Sequence, residues 1–345
     1  MKMEDSYIGC AENKQDVQSA IKLIKKVFYL GTDSNKFIFP KEHLVEKNVV
    51  VVKVNKKVIA TSLINDRIFY LNNLKISCSF LSFICVNESY RDKGFSKELM
   101  DFSIQLCVDR GKKACFVIAR KSVDYYYNKF SFYGFSNYPK IIIKNGNIPF
   151  IKKLNFVPLE LSSINEIKET YHAVYNKLFG SFYRNNENWN FILKKARKIN
   201  VEVCMIRDVD DETLGYICFD KGNIYEIALN SQKDYPEVLK NIMDKQKLDL
   251  ITFHGSTNHP LANKIEYFDH TVSYRKCWHG GHMIRINDEE MFSSKLSKQK
   301  PEKIFNKEND YHEGLNQNYL LKDTLSFEAD IFSDHVINIP LMDQI

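Results

Sequence analysis

The residues best suited to chemistry lie in one stretch, Ile84-Cys85-Val86-Asn87-Glu88-Ser89-Tyr90-Arg91-Asp92-Lys93-Gly94-Phe95-Ser96, followed by a helical pattern to Gly111. An apolar run stops, a turn with one glycine follows, and an amphipathic helix begins at once. Such a junction suits an anion, because the first N–H groups of a helix lack intrahelical partners and the helix dipole favours negative charge. Gly94 permits close backbone approach, Ser96 is small and offers a hydroxyl, and Arg91 and Lys93 add cationic character. One glycine before a helix also describes an ordinary strand-to-helix turn, so spacing has to decide.

The motif is Arg91-x-x-Gly94-x-Ser96, with Val86 five residues ahead of the arginine. Downstream, Leu99, Met100, Phe102 and Leu106 mark the helix, and Ala114–Ala119 reads as a short buried strand. Ser122 then precedes Tyr125-Tyr126-Tyr127-Asn128-Lys129-Phe130-Ser131-Phe132. The two blocks at this distance resemble the GNAT superfamily of acyltransferases, whose loop reads Arg/Gln-x-x-Gly-x-Gly/Ala and whose later block reads Tyr-x-Lys-x-Gly-Phe. Ser96 and Ser131 stand where the family has small residues or glycine. These motifs cover about residues 80–135.

The resemblance implies a co-substrate, acetyl-CoA, and no metal. Backbone groups of Phe83, Ile84, Cys85 and Val86 are expected along its pantetheine arm. Arg91, Asp92, Lys93, Gly94, Phe95 and Ser96 are expected around the pyrophosphate, with Ser122 also at the cofactor. Acetyl transfer to an amine needs a proton for the departing thiolate, and Tyr127 falls on the family's tyrosine; a phenol keeps its proton at neutral pH. Tyr125 and Tyr126 are its neighbours if the register slips. The alternative account of Tyr127 is a packed aromatic in a tyrosine-rich helix, and within this motif the catalytic one is favoured.

A general base is harder to place. Leu74–Val86 contains no carboxylate, and Glu88 lies just past it in an exposed turn. The remaining candidate is the terminal carboxylate of Ile345, since some tandem-GNAT enzymes return their C-terminus to the first lobe.

The elements that must position these groups follow from periodicity. Asp16–Phe28 carries a helical stripe, and Val49–Val54 and Lys57–Ile64 read as a hairpin about Asn55-Lys56. Ile68–Leu71 and Cys78–Val86 are expected as strands, then helix 93–110, strand 114–119, a tyrosine-bearing helix and strand 140–144. Asn145-Gly146-Asn147-Ile148-Pro149 is the best boundary signal. Beyond it, helices are expected at 163–179, 188–199, 236–245 and 259–267, and strands at 201–207, 213–219, 223–229, 248–254 and 272–276. The expected fold class is α/β (α+β): two GNAT-like lobes, each a mixed central sheet flanked by helices.

The domains expected are 1–148, binding acetyl-CoA; 149–294, a second GNAT-like lobe; and 295–345, a polar loop and a tail packing back on the body. Where a second pyrophosphate loop would sit, the chain reads Asn230-Ser231-Gln232-Lys233-Asp234-Tyr235-Pro236, without glycine. The layout resembles the enhanced-intracellular-survival type of tandem acetyltransferase without its sterol-carrier domain. Arg184 followed by Trp189, and Met283–Asp288, add looser likenesses.

Composition narrows the partners. Of 345 residues 44% are hydrophobic and 27% charged, ordinary for a globular protein. The start lacks a signal-peptide core and no 18-residue apolar run occurs, so the expected location is cytoplasmic with no membrane partner. Residues 1–150 hold 24 Lys+Arg against 14 Asp+Glu, and residues 151–345 hold 25 against 29. A basic half suits a polyanionic cofactor and an acidic half a cationic acceptor. The lysines are dispersed without a nucleic-acid motif, so no nucleic acid is expected. The eight cysteines are scattered without Cys-x-x-Cys and read as reduced thiols. Cys277, His279 and His282 sit about a turn where alternate residues face opposite ways, which argues against metal.

The sequence thus points to an N-acetyltransferase acting on a small-molecule or peptide amine, with oligomerisation left open. Alternatives are a non-catalytic CoA-binding or regulatory module and an aminoacyl-tRNA-dependent transferase on the same fold. The CoA-type loop argues against the last.

Overall fold

The computed structural model describes residues 6–28, 44–120, 123–134, 137–146, 152–266, 268–276, 281–291 and 342. Two compact units divide the chain, the first drawn from Met1–Ile68, Ile76–Gly134 and His279–Leu296. The second takes Phe69–Lys75, Phe135–Trp278 and Ser297–Ile345.

In the first unit, β1 (Ser6–Cys10) and helix α1 (Lys14–Phe28) precede the valine-rich β2 (Val49–Val54) and long β3 (Lys57–Leu71). Asn55 and Lys56 both take positive φ (49° and 62°), the two-residue turn that matches the twist of paired strands. Asn72 and Asn73 repeat that device (45° and 65°) before β4 (Leu74–Val86). Helix α2 (Phe95–Asp109) then crosses to β5 (Ala114–Ala119), followed by α3 (Asp124–Asn128) and the short β6 (Tyr133–Gly134). Leu81, Leu99, Met100, Cys107, Cys115 and Val117 form the core between α2 and the sheet. Val17, Ala20, Leu23 and Ile24 of α1 pack on Val49, Val51 and Leu63 of the other face.

The second unit opens with β7 (Asn137–Lys144), β8 (Asn155–Pro158), α4 (Ile164–Tyr175), β9 (Phe179–Phe182) and α5 (Asn186–Lys198). Three antiparallel strands follow, β10 (Glu202–Arg207), β11 (Thr213–Asp220) and β12 (Asn223–Leu229). Helix α6 (Tyr235–Gln246) leads to β13 (Leu250–Phe253), then β14 (His270–Lys276); β15 (Gly281–Ile286) belongs to the first unit. β9 pairs with Phe69–Leu71, the end of β3 assigned to the second unit.

Among the described residues the first unit's strands run β1-β2-β3-β4-β5-β15-β6 and the second's β8-β10-β11-β12-β13-β7-β14. Position by position these are one order, with a parallel pair at the centre in each: β4 with β5, and β12 with β13. The sixth strand of the first sheet, β15, comes from beyond the second unit in sequence, whereas that of the second sheet, β7, opens its own unit's main segment. β7, expected as the last strand of the first domain, pairs instead with β13 and β14, while β15 pairs with β5 and β6. The units therefore do not follow boundaries at 148 and 294. Strand pairing decides membership, and the sequence's boundary signal at 145–149 lies past a strand that already belongs to the second sheet.

Other elements differ in extent. Residues 57–64 and 68–71, expected as two strands, are one, and Asp66 between them finds partners from neighbouring elements. Ser79 Oγ donates to Asp66 Oδ1 at 2.6 Å and Lys112 Nζ lies 3.1 Å from Asp66. The helix expected to 179 stops at Tyr175. That expected at 259–267 is a single turn, Pro260–Asn263.

Candidate functional site

The central parallel pair of the first unit is joined only at Cys78↔Ala114, Ser79↔Cys115 and Phe80↔Phe116. β4 runs on to Val86 and β5 to Ala119, yet no further pairs form, so the strands part beyond Phe80. Phe83 marks the parting strand with a positive φ of 53°, a conformation unusual for a bulky residue and characteristic of a bulge. The bulge turns Phe83 toward α1, where its ring meets Phe28 edge-on at 5.9 Å. Cys85 is buried, and burial pushes its thiol up to about 12, which leaves it unreactive.

After Val86 the chain forms a tight sequence of caps. Asn87 Oδ1 accepts from Ser89 N–H at 3.2 Å and a single helical turn covers Glu88–Tyr90. Asp92 (φ 62°) and Gly94 (φ 87°) then swing the backbone into α2. A Cβ placed on Gly94 would meet nothing within 4 Å, so the space in front of it is open. Lys97 N–H is the first to close onto a carbonyl, Gly94 O at 3.0 Å. The N–H groups of Phe95 and Ser96 thus precede the helical ladder, as helix geometry requires. The Phe95 side chain is buried and anchors the turn, while Arg91, Asp92, Lys93 and Gly94 are exposed. Lys93 Nζ sits 5.2 Å from the Tyr90 ring centroid. Backbone donors at the mouth of a parted strand pair make a cradle that can receive an anion.

The tyrosines expected nearby are sorted by the structure. Tyr125 is 53% exposed. Tyr126 donates its hydroxyl to Ser96 O at 2.9 Å, tying α3 to the first turn of α2. The Tyr127 ring packs 6.2 Å from Phe132, and its hydroxyl has no hydrogen-bond partner among the described residues. Burial, with a smaller push from Tyr126, raises the Tyr127 phenol to about 12, so it carries its proton at neutral pH. Ser131 takes φ 58°, the left-handed conformation that accounts for glycine at this place in the family pattern.

Glu88 is exposed on its turn. Ser122 and Ile345 lie outside the described residues, as do Cys277 and His279. His282 is buried on β15 opposite Ile118. Among the described residues no three metal-ligating side chains converge, and no helix is long and apolar enough to cross a membrane. The parting of β4 from β5, the Phe83 bulge and the Tyr126–Ser96 tie were not visible in the sequence. Only the small residue at position 96 hinted that something packs against that turn.

Comparison with known proteins agrees with this geometry. Residues 11–135 match the family model described as an acetyltransferase (GNAT) domain. The chain is similar to a GCN5-related N-acetyltransferase from Anabaena variabilis, at 16% identity over 81% of this chain and 72% of that one, with a TM-score of 0.63. Eis1 from Mycobacterium abscessus gives 13% identity over 84% and 75%, with a TM-score of 0.64. A probable N-acyltransferase from Enterococcus faecalis gives 10% over 83% and 74%, with a TM-score of 0.63. At such identities the likeness is one of fold. No curated protein matches the sequence. Residues 11–135 thus match a GNAT acetyltransferase domain, and the chain that carries them has the GNAT fold.

Proposed function

We propose that the chain is an acyl-CoA-dependent N-acyltransferase that moves an acetyl group to the primary amine of a small molecule or peptide. The observation that carries this is the open edge of β4 beyond Phe80, leading directly to the unclosed first turn of α2. A strand edge offers alternating N–H and C=O groups to an extended amide-bearing arm, and the helix N-terminus offers donors to a diphosphate. The residues present fit such a group: Gly94 leaves the approach clear and Arg91 and Lys93 supply positive charge.

Bound acetyl-CoA supplies a thioester that an uncharged amine can attack. Backbone groups of Phe83–Val86 hold the arm and orient its carbonyl. Tyr127 donates its proton toward the sulfur position, a role open to a hydroxyl that is protonated and otherwise unengaged. Tyr126 keeps α3 against α2 and so fixes Tyr127 relative to the cradle. Calorimetry with acetyl-CoA and free-thiol release across an amine panel test the reading. Binding with amine-dependent release supports it, and absence of CoA binding by the folded protein overturns it.

A further inference from the structure

A parted strand pair opens to both faces of its sheet. In the first unit α2, whose first turn carries the anion-binding donors, packs on one face with Leu81, Leu99 and Met100, and α1 packs on the other with Val49, Val51 and Leu63. A thioester carrier whose diphosphate sits at the start of α2 comes to the gap from the α2 side. Because the carrier fills that side, the amine that attacks its carbonyl arrives from the α1 side. What lines the α1 side therefore selects the acceptor.

Three side chains from three segments meet there. Phe28 ends α1, Phe83 is the bulged residue of β4, and their rings meet edge-on at 5.9 Å. Arg120 directly follows β5, the other strand of the parted pair, and its guanidinium lies over the Phe28 ring, 5.4 Å from the centroid. The side chain thus reaches from the β5 edge of the gap to an aromatic pair on the β4 edge. Its charge also acts on the Tyr127 phenol, where it opposes part of the rise that burial causes. Arg120 is accordingly within electrostatic reach of the group assigned to protonate the leaving sulfur.

This cation is unspent. Arg120 is exposed, and among the described residues its guanidinium makes no hydrogen bond and no ion pair. Other cations of the same unit are matched: Lys53 by Glu12 and Asp16, and Arg110 and Lys112 by Asp66 at 3.7 and 3.1 Å. An aromatic face restrains a guanidinium without using its N–H groups. The five donors of an arginine then stay available as a planar fork, which matches the two oxygens of a carboxylate. The same charge repels an acceptor that carries further cations, at the place where its amine must be uncharged.

We propose that Arg120 binds the acceptor, and that the acceptor is an amine bearing a carboxylate, an amino acid or short peptide, whose acid group takes the guanidinium fork while its apolar part lies against Phe28 and Phe83. This names the substrate class of the site and rests on reading the first unit as an acyl-CoA transferase. The test is free-thiol release by the full chain with acetyl-CoA and a panel of α- and ω-amino acids and dipeptides. Each acid is run beside its carboxamide, which keeps the shape and loses the charge, at matched concentrations of uncharged amine. At least one acid should exceed its amide by about 10–100-fold in kcat/KM, the scale of hydrogen bonds to a charged group. In Arg120→Gln that preference should vanish through KM, with CoA affinity and melting temperature as in wild type, and Arg120→Lys should recover part of it. Preference for amides or diamines, failure of every acid, or a preference unchanged in Arg120→Gln would each overturn the proposal. If the folded wild type binds no CoA, the acyltransferase reading fails and direct binding still decides the anion site. Calorimetry with the same acids should then give one site per chain for at least one of them in the wild type and none in Arg120→Gln. Equal titrations of the two proteins across the panel would overturn it.

Discussion

The Tyr126 hydroxyl and the Ser96 carbonyl, 2.9 Å apart, join two segments thirty residues distant and separate two adjacent tyrosines by task. Neighbouring helical positions point about 100° apart. One phenol is thereby consumed by the backbone of α2 while Tyr127 keeps its proton unengaged among the described residues.

Tyr127→Phe should fold, bind CoA as wild type does, and lose about 10²–10⁴-fold in turnover, the range for a positioned proton donor. Tyr126→Phe should behave differently. A net hydrogen bond of roughly 0.5–1.5 kcal/mol is lost from the cradle's support, so CoA affinity should fall about 3–10-fold with turnover largely kept. Parallel thiol-release assays and calorimetry separate the two. A dead Tyr126→Phe beside an active Tyr127→Phe would reverse the assignment.

Gly94 combines a left-handed φ of 87° with an empty Cβ position. Gly94→Ala should therefore cost stability only through backbone strain, about 1–2 kcal/mol, visible as a modest drop in urea midpoint. Gly94→Asp adds a charge in front of the diphosphate position and should weaken CoA binding by about 3–5 kcal/mol, the scale of an uncompensated charge. Unchanged CoA affinity in folded Gly94→Asp would remove the loop from the site.

How much of this was legible follows from which interactions are local. The loop was readable because turn, glycine and helix start are set by neighbouring residues, and Gly94 and Ser131 do take the positive φ their places imply. Paired strands were found by alternation, but alternation carries no partner, so the exchange of β7 and β15 was invisible. Asp66 and Arg67 broke the apolar pattern of β3 and suggested a gap, although the strand runs through both and Asp66 is partnered by Ser79 and Lys112. The parting of β4 from β5 depends on which hydrogen bonds fail to form. No residue type announces it.

The second unit carries a test of buried electrostatics. Arg184 and Glu226 are both wholly buried and paired through two 2.6 Å bonds, with Tyr216 donating to Glu226 at 2.5 Å. The guanidinium lies over Tyr171 and Trp189, 4.1 and 4.8 Å from their centroids. Removing one partner strands a charge, so Arg184→Met and Glu226→Gln should each cost about 3–5 kcal/mol in urea unfolding. The double variant Arg184→Met/Glu226→Gln should lose less than the sum, because no charge is left unpaired. Additive losses would mean the pair is not coupled.

Buried His259, whose Nε2 lies 2.9 Å from Ile227 O, should weaken the fold toward acid. Burial lowers its imidazole to about 3, while the unfolded chain titrates it near the ordinary 6.5. Its buried neighbours Tyr175 and Tyr235 have phenols raised by burial, so they stay neutral throughout this range. A depressed imidazole pKa has a definite sign: above pH 6.5 neither state binds the proton, and between 6.5 and 3 only the unfolded state does. Stability should therefore be flat with respect to this group above neutrality and fall as pH drops, by about 1.4 kcal/mol per unit once well below 6.5. His259→Gln retains a donor for Ile227 O but cannot titrate. It should start less stable at pH 7 and lose less between pH 6.5 and 4 than wild type in urea titrations. Parallel pH profiles for the two proteins would show that another group controls the acid transition.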